Sequence, residues 1–212
     1  MNLTSSAHLN GLLARIAENG LSAQPRNPLA DQVLGGHDGV NSAPLRKADD
    51  AYIDLKHAIL TLQLRPGQPL DERPLMETRG HGRTPLREAI QRLTHDGLVN
   101  SMPRRGNWVS DLSYQDLSEM MEARALLEPT LAERAATRIT PVEISKLYEI
   151  EQRILQVKRS GDVVSHLYLD YQFHNIVARA ARNRYLAHAA EDTNLALLRY
   201  WFIRIVITAS EA

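Results

Sequence analysis

A chain of 212 residues, 43% hydrophobic and 24% charged, has material for one large core or two small ones. Lys+Arg and Asp+Glu stand at 25 each, so net charge is silent about a polyanionic partner and only a local basic cluster can speak for one. Cysteine is absent, which excludes disulfides and thiolate metal sites and suits a reducing compartment. The most apolar run, "YWFIRIVI" from Tyr200 to Ile207, is far too short to span a bilayer and contains Arg204. The N-terminal "MNLTSSAHLNGLLARIAENG" lacks a basic stretch followed by a long apolar core, so no secretory signal is expected and the expected compartment is the cytoplasm.

Residues 1–48 mix Gly, Pro, Asn and Ser without a sustained period and read as a flexible extension, with a short helix expected around Leu9 to Ile16. Order is expected to begin at Ala51, where Tyr52, Leu55, Ile59 and Leu62 share a helical stripe. Pro66-Gly67 then suits the centre of a type II turn. A second helix is predicted from an Asp71 N-cap, with Pro74 in its first turn and Gly80 as its stop. A third runs from Arg83 to His95 and closes at Gly97. Two short extended runs flank "RRG" and predict a β-hairpin. Three helices and a hairpin in this order are the sequence of a winged helix-turn-helix.

Everything after Leu112 reads as helix. Ser113 and Asp116 have capping-box spacing, with Leu112 and Leu117 as the accompanying staple. Thr140-Pro141-Val142-Glu143 is a stronger start signal, combining a Thr cap, proline at the first helical position and glutamate at the third. "SGD" at 160–162 ends one helix and opens the next, and Asn183 caps a fourth running toward Thr208. The fold class is therefore mainly α: an N-terminal winged helix-turn-helix (49–112) and a C-terminal antiparallel helical bundle (113–212).

On a helical wheel of about 100° per residue, the third helix separates into two faces. Leu86, Ala89, Ile90 and Leu93 lie together, and Arg83, Thr84, Arg87 and Gln91 lie opposite them. Arginine forks suit guanine or phosphate, glutamine can pair with adenine, and a threonine at a helix N-terminus adds a neutral phosphate donor. A solvated basic face would look the same. Arg73 in the preceding helix and Arg104, Arg105 and Gly106 at the hairpin tip add a second and third element, and such a footprint favours double-stranded DNA.

In the helical region, Met120, Met121, Leu127, Leu131 and Ala135 form an apolar arc with Arg124 in its middle and Glu128 inside it. A core arginine is costly unless paired. It either bonds Glu128 one turn on or another helix, or it awaits a carboxylate ligand in an internal cavity. Further on, Val163, Leu167, Phe173, Val177 and Ala181 are read as an apolar face shared by His166, Asp170 and His174. Asp170 and His174 are one turn apart, which makes either half a metal site or a buried hydrogen bond.

The stretch "LRPGQPLDERPLMETRGHGRTPLREAIQRLTHDGLVNSMPRRGNWV" resembles the winged-helix reader of the GntR family of bacterial transcription regulators. "DLSEMMEARALLEPTLAERAA" and "DYQFHNIVARAARN" resemble the FadR-type C-terminal domain (FCD) of one subfamily. The resemblance implies that Arg73, Arg83 and Arg87 contact operator DNA and that Arg105-Gly106 probes the minor groove. It also implies that Arg124 lies near an effector carboxylate and that Asp170 and His174 belong to a divalent-metal (zinc or similar) site. Three positions depart from the pattern: Arg79, where the family usually has Leu, and His81-Gly82, where it has an apolar residue and then Ser or Thr. The family's further histidine ligands and last helices have no counterpart before Ala212, and the chain reads as a shortened form whose "YWFIRIVI" is covered by a dimer surface or by missing helices. The expected function is a DNA-binding transcription regulator, not an enzyme, working as a homodimer on a palindromic operator under a small carboxylate effector. A metal-dependent enzyme using Asp170 and His174, and a regulator that has lost sensing, are the alternatives.

Overall fold

The computed structural model describes residues 46–211 together with Leu29, Val33 and Leu34, and from residue 206 to residue 211 it describes the backbone alone. The helix expected around Leu9 to Ile16 lies outside the described residues. Leu29, Val33 and Leu34 are helical and buried. The described residues divide into two compact units, one ending at Ser113 and joined by the last helix from Phe202, the other Tyr114–Trp201. Among them, no helix is long and apolar enough to cross a membrane.

In the first unit, helix α1 spans Lys47–Leu60 and so begins before the expected Ala51. Asp49 and Asp50 in its first turn favour that earlier start through the helix dipole. Ile53, Leu55, Ala58, Ile59 and Leu60 are all buried, which is more than one stripe, as expected of a helix wrapped on several sides. In the turn that follows, Gln68 N–H donates to the Arg65 carbonyl at 3.0 Å and Gly67 takes φ 72°, the left-handed position that a type II turn requires. Helix α2 is Glu72–Arg79. Asp71 precedes it, but its side chain makes no capping hydrogen bond, so the expected cap is positional only. Gly80 ends α2 at φ 73°, with its N–H on the Met76 carbonyl.

Helix α3, Arg83–His95, packs chiefly on α1 and also on α2 and the first strand. Strands β1 (Val99–Met102) and β2 (Gly106–Val109) pair antiparallel, with Val99 opposite Val109 and Met102 opposite Gly106. The segment after the Pro66-Gly67 turn lines the outer side of β2: Val109 N–H donates to the Gln68 carbonyl at 3.0 Å and Leu70 N–H to the Asn107 carbonyl at 2.8 Å. The hairpin is thereby tied at its base while its tip is left exposed.

The second unit holds α4 (Tyr114–Arg138), α5 (Pro141–Ser160), α6 (Val163–Ala180) and the greater part of α7 (Arg184–Glu211). The Thr140 capping box is complete: its hydroxyl accepts from Glu143 N–H at 3.3 Å, and the Glu143 carboxylate accepts from Thr140 N–H at 2.9 Å. Gly161 stops α5, Asp162 caps α6, and Asn183 accepts from Tyr185 N–H and Leu186 N–H to start α7. Leu131, Ala178, Ala181, Ala187 and Ala190 form a seam in which small side chains let α4, α6 and α7 approach closely.

Two expected faces need correction. On α4, Met120, Arg124, Leu131 and Ala135 are buried, but Met121 is 51% exposed. On α6 the buried residues are Ser165, Tyr168, Leu169, Asn175, Ala178 and Ala180, while Val163 is 49% exposed. Helix α6 packs against both α4 and α5, so burial spreads over two sides and a single apolar stripe misplaces it. In "YWFIRIVI", Phe202 and Ile203 are buried and Trp201 is 46% exposed.

Candidate nucleic-acid interface and buried arginine site

Helix α3 has the two faces that its periodicity requires. Leu86, Ala89, Ile90 and Leu93 are buried, and Arg83, Thr84, Arg87 and Gln91 are exposed. Gly82, with extended φ −71° and ψ 162°, occupies the N-cap and has no side chain to bond the first amides of α3, those of Arg83 and Thr84. Arg73 on α2 and Arg104, Arg105 and Gly106 at the hairpin tip are also exposed. Arg104 takes φ 66°, a left-handed conformation that closes the tight tip.

The arginines are not idle. Glu72 at the start of α2 accepts from Arg87 Nε at 2.6 Å and lies 4.0 Å from Arg83 Nε, and Arg73 pairs with Glu77 at 3.2 Å. The Glu72 hydrogen bond, and then its charge, raise the Arg87 pKa still further, so its guanidinium stays charged. These contacts do not withdraw the arginines from solvent, since the side chains of Arg83 and Arg87 remain 68% and 64% exposed. An exposed pair is worth about 0–1 kcal/mol. Both arginines therefore stay solvent-accessible on the exposed side of α3, with Glu72 as a screened, exchangeable partner between them.

Arg92, on the other flank of α3, is exposed too but lies against α1. It bonds Asp49 at 2.8 Å and lies over the Tyr52 ring, 3.8 Å from its centroid. Tyr52 donates to Asp96 at 2.5 Å and accepts from buried Lys56 at 2.8 Å, which clamps the end of α3 to α1. The turn between α2 and α3 has its own anchor. Asp54 of α1 receives Arg79 at 3.3 Å and faces His81 Nε2 at 3.1 Å, while Arg79 also donates to Gln63 Oε1 at 3.1 Å. Two of the three positions that depart from the reader's pattern, Arg79 and His81, thus share one carboxylate, and a polar anchor stands where an apolar one is usual. Sequence reasoning singled out Arg79 and His81 but not Asp54, which lies 25 residues before Arg79.

In the second unit Arg124 is buried, as the wheel requires. It donates to Asn194 Oδ1 of α7 at 2.6 Å and to Glu128 one turn along α4. Asn194 in turn donates to buried Asn175 Oδ1 of α6 at 2.8 Å. Asn194 and Asn175 are the members that sequence reasoning missed. Only the meeting of three helices identifies them, although an asparagine amid the alanines and leucines of "DTNLALL" is a signal in itself. His174 continues the network: its Nδ1 lies 3.5 Å from Glu128 and its Nε2 3.8 Å from Asp170.

Asp170 and His174 also border two spaces. One is a cavity of about 10 Å³ that reaches Arg124, Asn194 and Trp201. The other is a groove of about 630 Å³ between α5 and α6 that also carries His166. Among the described residues no group of three or more His, Asp or Glu side chains is gathered to hold a metal. Two donors are fewer than structural or catalytic zinc sites supply, and one ring nitrogen of His174 already faces Glu128. Among the described residues, Asp170 and His174 are thus an incomplete ligand set for a metal.

Residues 47–109 match the family described as bacterial regulatory proteins, gntR family, and residues 119–211 match the FCD domain. An HTH-type transcriptional regulator from the TAR-I ttuE-ttuC' intergenic region of Agrobacterium vitis is 31% identical over 165 residues, covering 76% of this chain and 92% of the relative. The HTH-type transcriptional repressor RspR of Escherichia coli K12 is 29% identical over 133 residues, covering 61% of this chain and 57% of its own. The solved structure of E. coli McbR/YncC superposes with a TM-score of 0.61 at 24% identity, over 74% of this chain and 76% of that one, a likeness of fold.

Proposed function

The chain belongs to the GntR family of bacterial regulatory proteins, with an FCD domain after its reader, and on that footing we propose that Arg83, Arg87, Thr84 and Gln91 read an operator from the major groove. It is a DNA-binding transcription regulator and not an enzyme. Arg73 positions the reader on phosphate, and Arg104, Arg105 and Gly106 reach the minor groove or backbone. Two copies bind a palindromic operator, because a two-fold protein requires a two-fold site. A small carboxylate at Arg124 shifts the relative placement of the two readers, which is a coupling free energy and not a chemical step.

The observation that carries this reading is the division of α3 into a buried apolar side and an exposed side of arginine, threonine and glutamine. Genome-wide operator mapping followed by gel-shift titration tests it. Arg83→Ala and Arg87→Ala should each cost about 1–3 kcal/mol of operator binding where the lost contact is bidentate. Unchanged affinity in both variants would refute the assignment.

For the helical unit, the support for an effector site is a buried guanidinium on a small cavity whose Asp170 and His174 also line a groove. A divalent metal at Asp170 and His174 has less support, since their one-turn spacing brings no third donor with it. Carboxylate binding is therefore the reading of Arg124, with Asp170 and His174 at the rim of its ligand space.

A further inference from the structure

We infer that Glu128 is a built-in stand-in for the effector's carboxylate, and that the effector is a monocarboxylate carried on an apolar body. This rests on the effector reading of Arg124. Arg124 has two partners of unlike character. Asn194 is buried and is itself held by buried Asn175 at 2.8 Å, so that side of the guanidinium is fixed. Glu128 has a side chain 42% exposed on the same helix as Arg124, and it is the partner that can swing toward solvent by a rotamer change.

The free space beside Arg124 is about 10 Å³, roughly the volume that one water needs. An outside carboxylate therefore reaches the guanidinium only by taking the place of Glu128. The displaced Glu128 would not be stranded, because His174 Nδ1 already stands 3.5 Å from it. The exchange swaps one carboxylate for another on the same buried cation, so the burial of Arg124 is never left uncompensated.

The rest of the ligand follows from the groove. Its volume of about 630 Å³ lies in the range of about 300–1,000 Å³ usual for small-molecule sites, and it shares Asp170 and His174 with the small cavity. Its wall is largely Ile144, Leu147, Tyr148 and Phe173, which suits an aliphatic or aromatic body. Glu151 and Asp170 line the same space beside Lys158, His166 and His174, and their two carboxylates oppose a second carboxylate on the ligand wherever the histidines are neutral.

Isothermal titration of the full chain tests this with benzoate, acetate and benzamide against the native protein and Glu128→Gln, with thermal melts to verify folding. Glutamine fills the same volume without the charge, so the competitor weakens and apparent affinity rises by the fraction of sites thereby freed. Benzoate should bind E128Q about tenfold or more tighter than native, acetate weakly, and benzamide not at all. Glu128→Ala should give the same gain, and so serves if E128Q melts early. Equal benzoate affinity in native and variant proteins would overturn the stand-in while leaving the effector reading in place. Acetate binding as well as benzoate would overturn the apolar body. No carboxylate binding to any of the proteins would overturn the effector reading and the stand-in with it.

Discussion

The two units place the same residue type in opposite circumstances. In the reader, Arg83 and Arg87 lie on the surface with Glu72 as a weak and replaceable partner. In the helical unit, Arg124 is buried and held by Asn194 and Glu128. The first arrangement keeps positive charge available at little cost, because water screens it until a polyanion arrives. The second makes the charge depend on its partners, because a guanidinium removed from water is stable only where its donors are satisfied. One surface thus suits a large external anion, and one interior suits a single small one.

The sharpest way to break the contrast is to empty the apolar side of the reader. Leu93 is fully buried, and Leu93→Ala should destabilise by about 2–5 kcal/mol in denaturant titration and abolish operator binding through unfolding. Next in size, Asn194→Ala takes a partner from Arg124 and from Asn175 at once and should cost about 1–3 kcal/mol. That loss should appear in the melt of the helical unit with the reader's operator affinity unchanged; an equal loss of both would erase the distinction between interior and surface charge. Arg83→Ala and Arg87→Ala should do the converse, with operator affinity falling by the amount given above and the melting temperature unmoved.

The smallest effects fall on the capping box. Thr140→Ala should cost about 0.5–2 kcal/mol, read by thermal melting. Burial pushes the Glu143 carboxyl up, but bonds from Thr140 and Arg182 outweigh it and hold the pKa below its ordinary 4.5. A carboxylate depressed in the folded state adds stability above its unfolded pKa and loses it as pH falls through the folded value. Glu143→Gln should therefore flatten the fall of stability below about pH 4.5, and an unaltered acid limb would contradict the role given to its partners.

The faces of α3 were legible because a helix half-buried on one side writes its burial into a period of 3.6 residues. The Thr140 and Asn183 caps were legible for a related reason, since capping is a contact between residues two or three apart. Helix α6 was misread, with Val163 placed inside and Asn175 missed, because it is covered from two directions. Asp71 was misread in another way: it stands in the right position, but its side chain makes no capping bond.

By itself the amino-acid order determined the succession of helices and hairpin, the apolar side of the reading helix, and the need of Arg124 for partners. Each of these follows from neighbours within a turn or two, where spacing along the chain is also spacing in space. Which partners answered was decided only by the tertiary structure. Asn194 lies 70 residues from Arg124, Asp54 lies 27 from His81, and Glu72 lies 15 from Arg87. Contacts of that reach depend on how helices pack, and no local pattern records which polar side chain from a distant element will meet which.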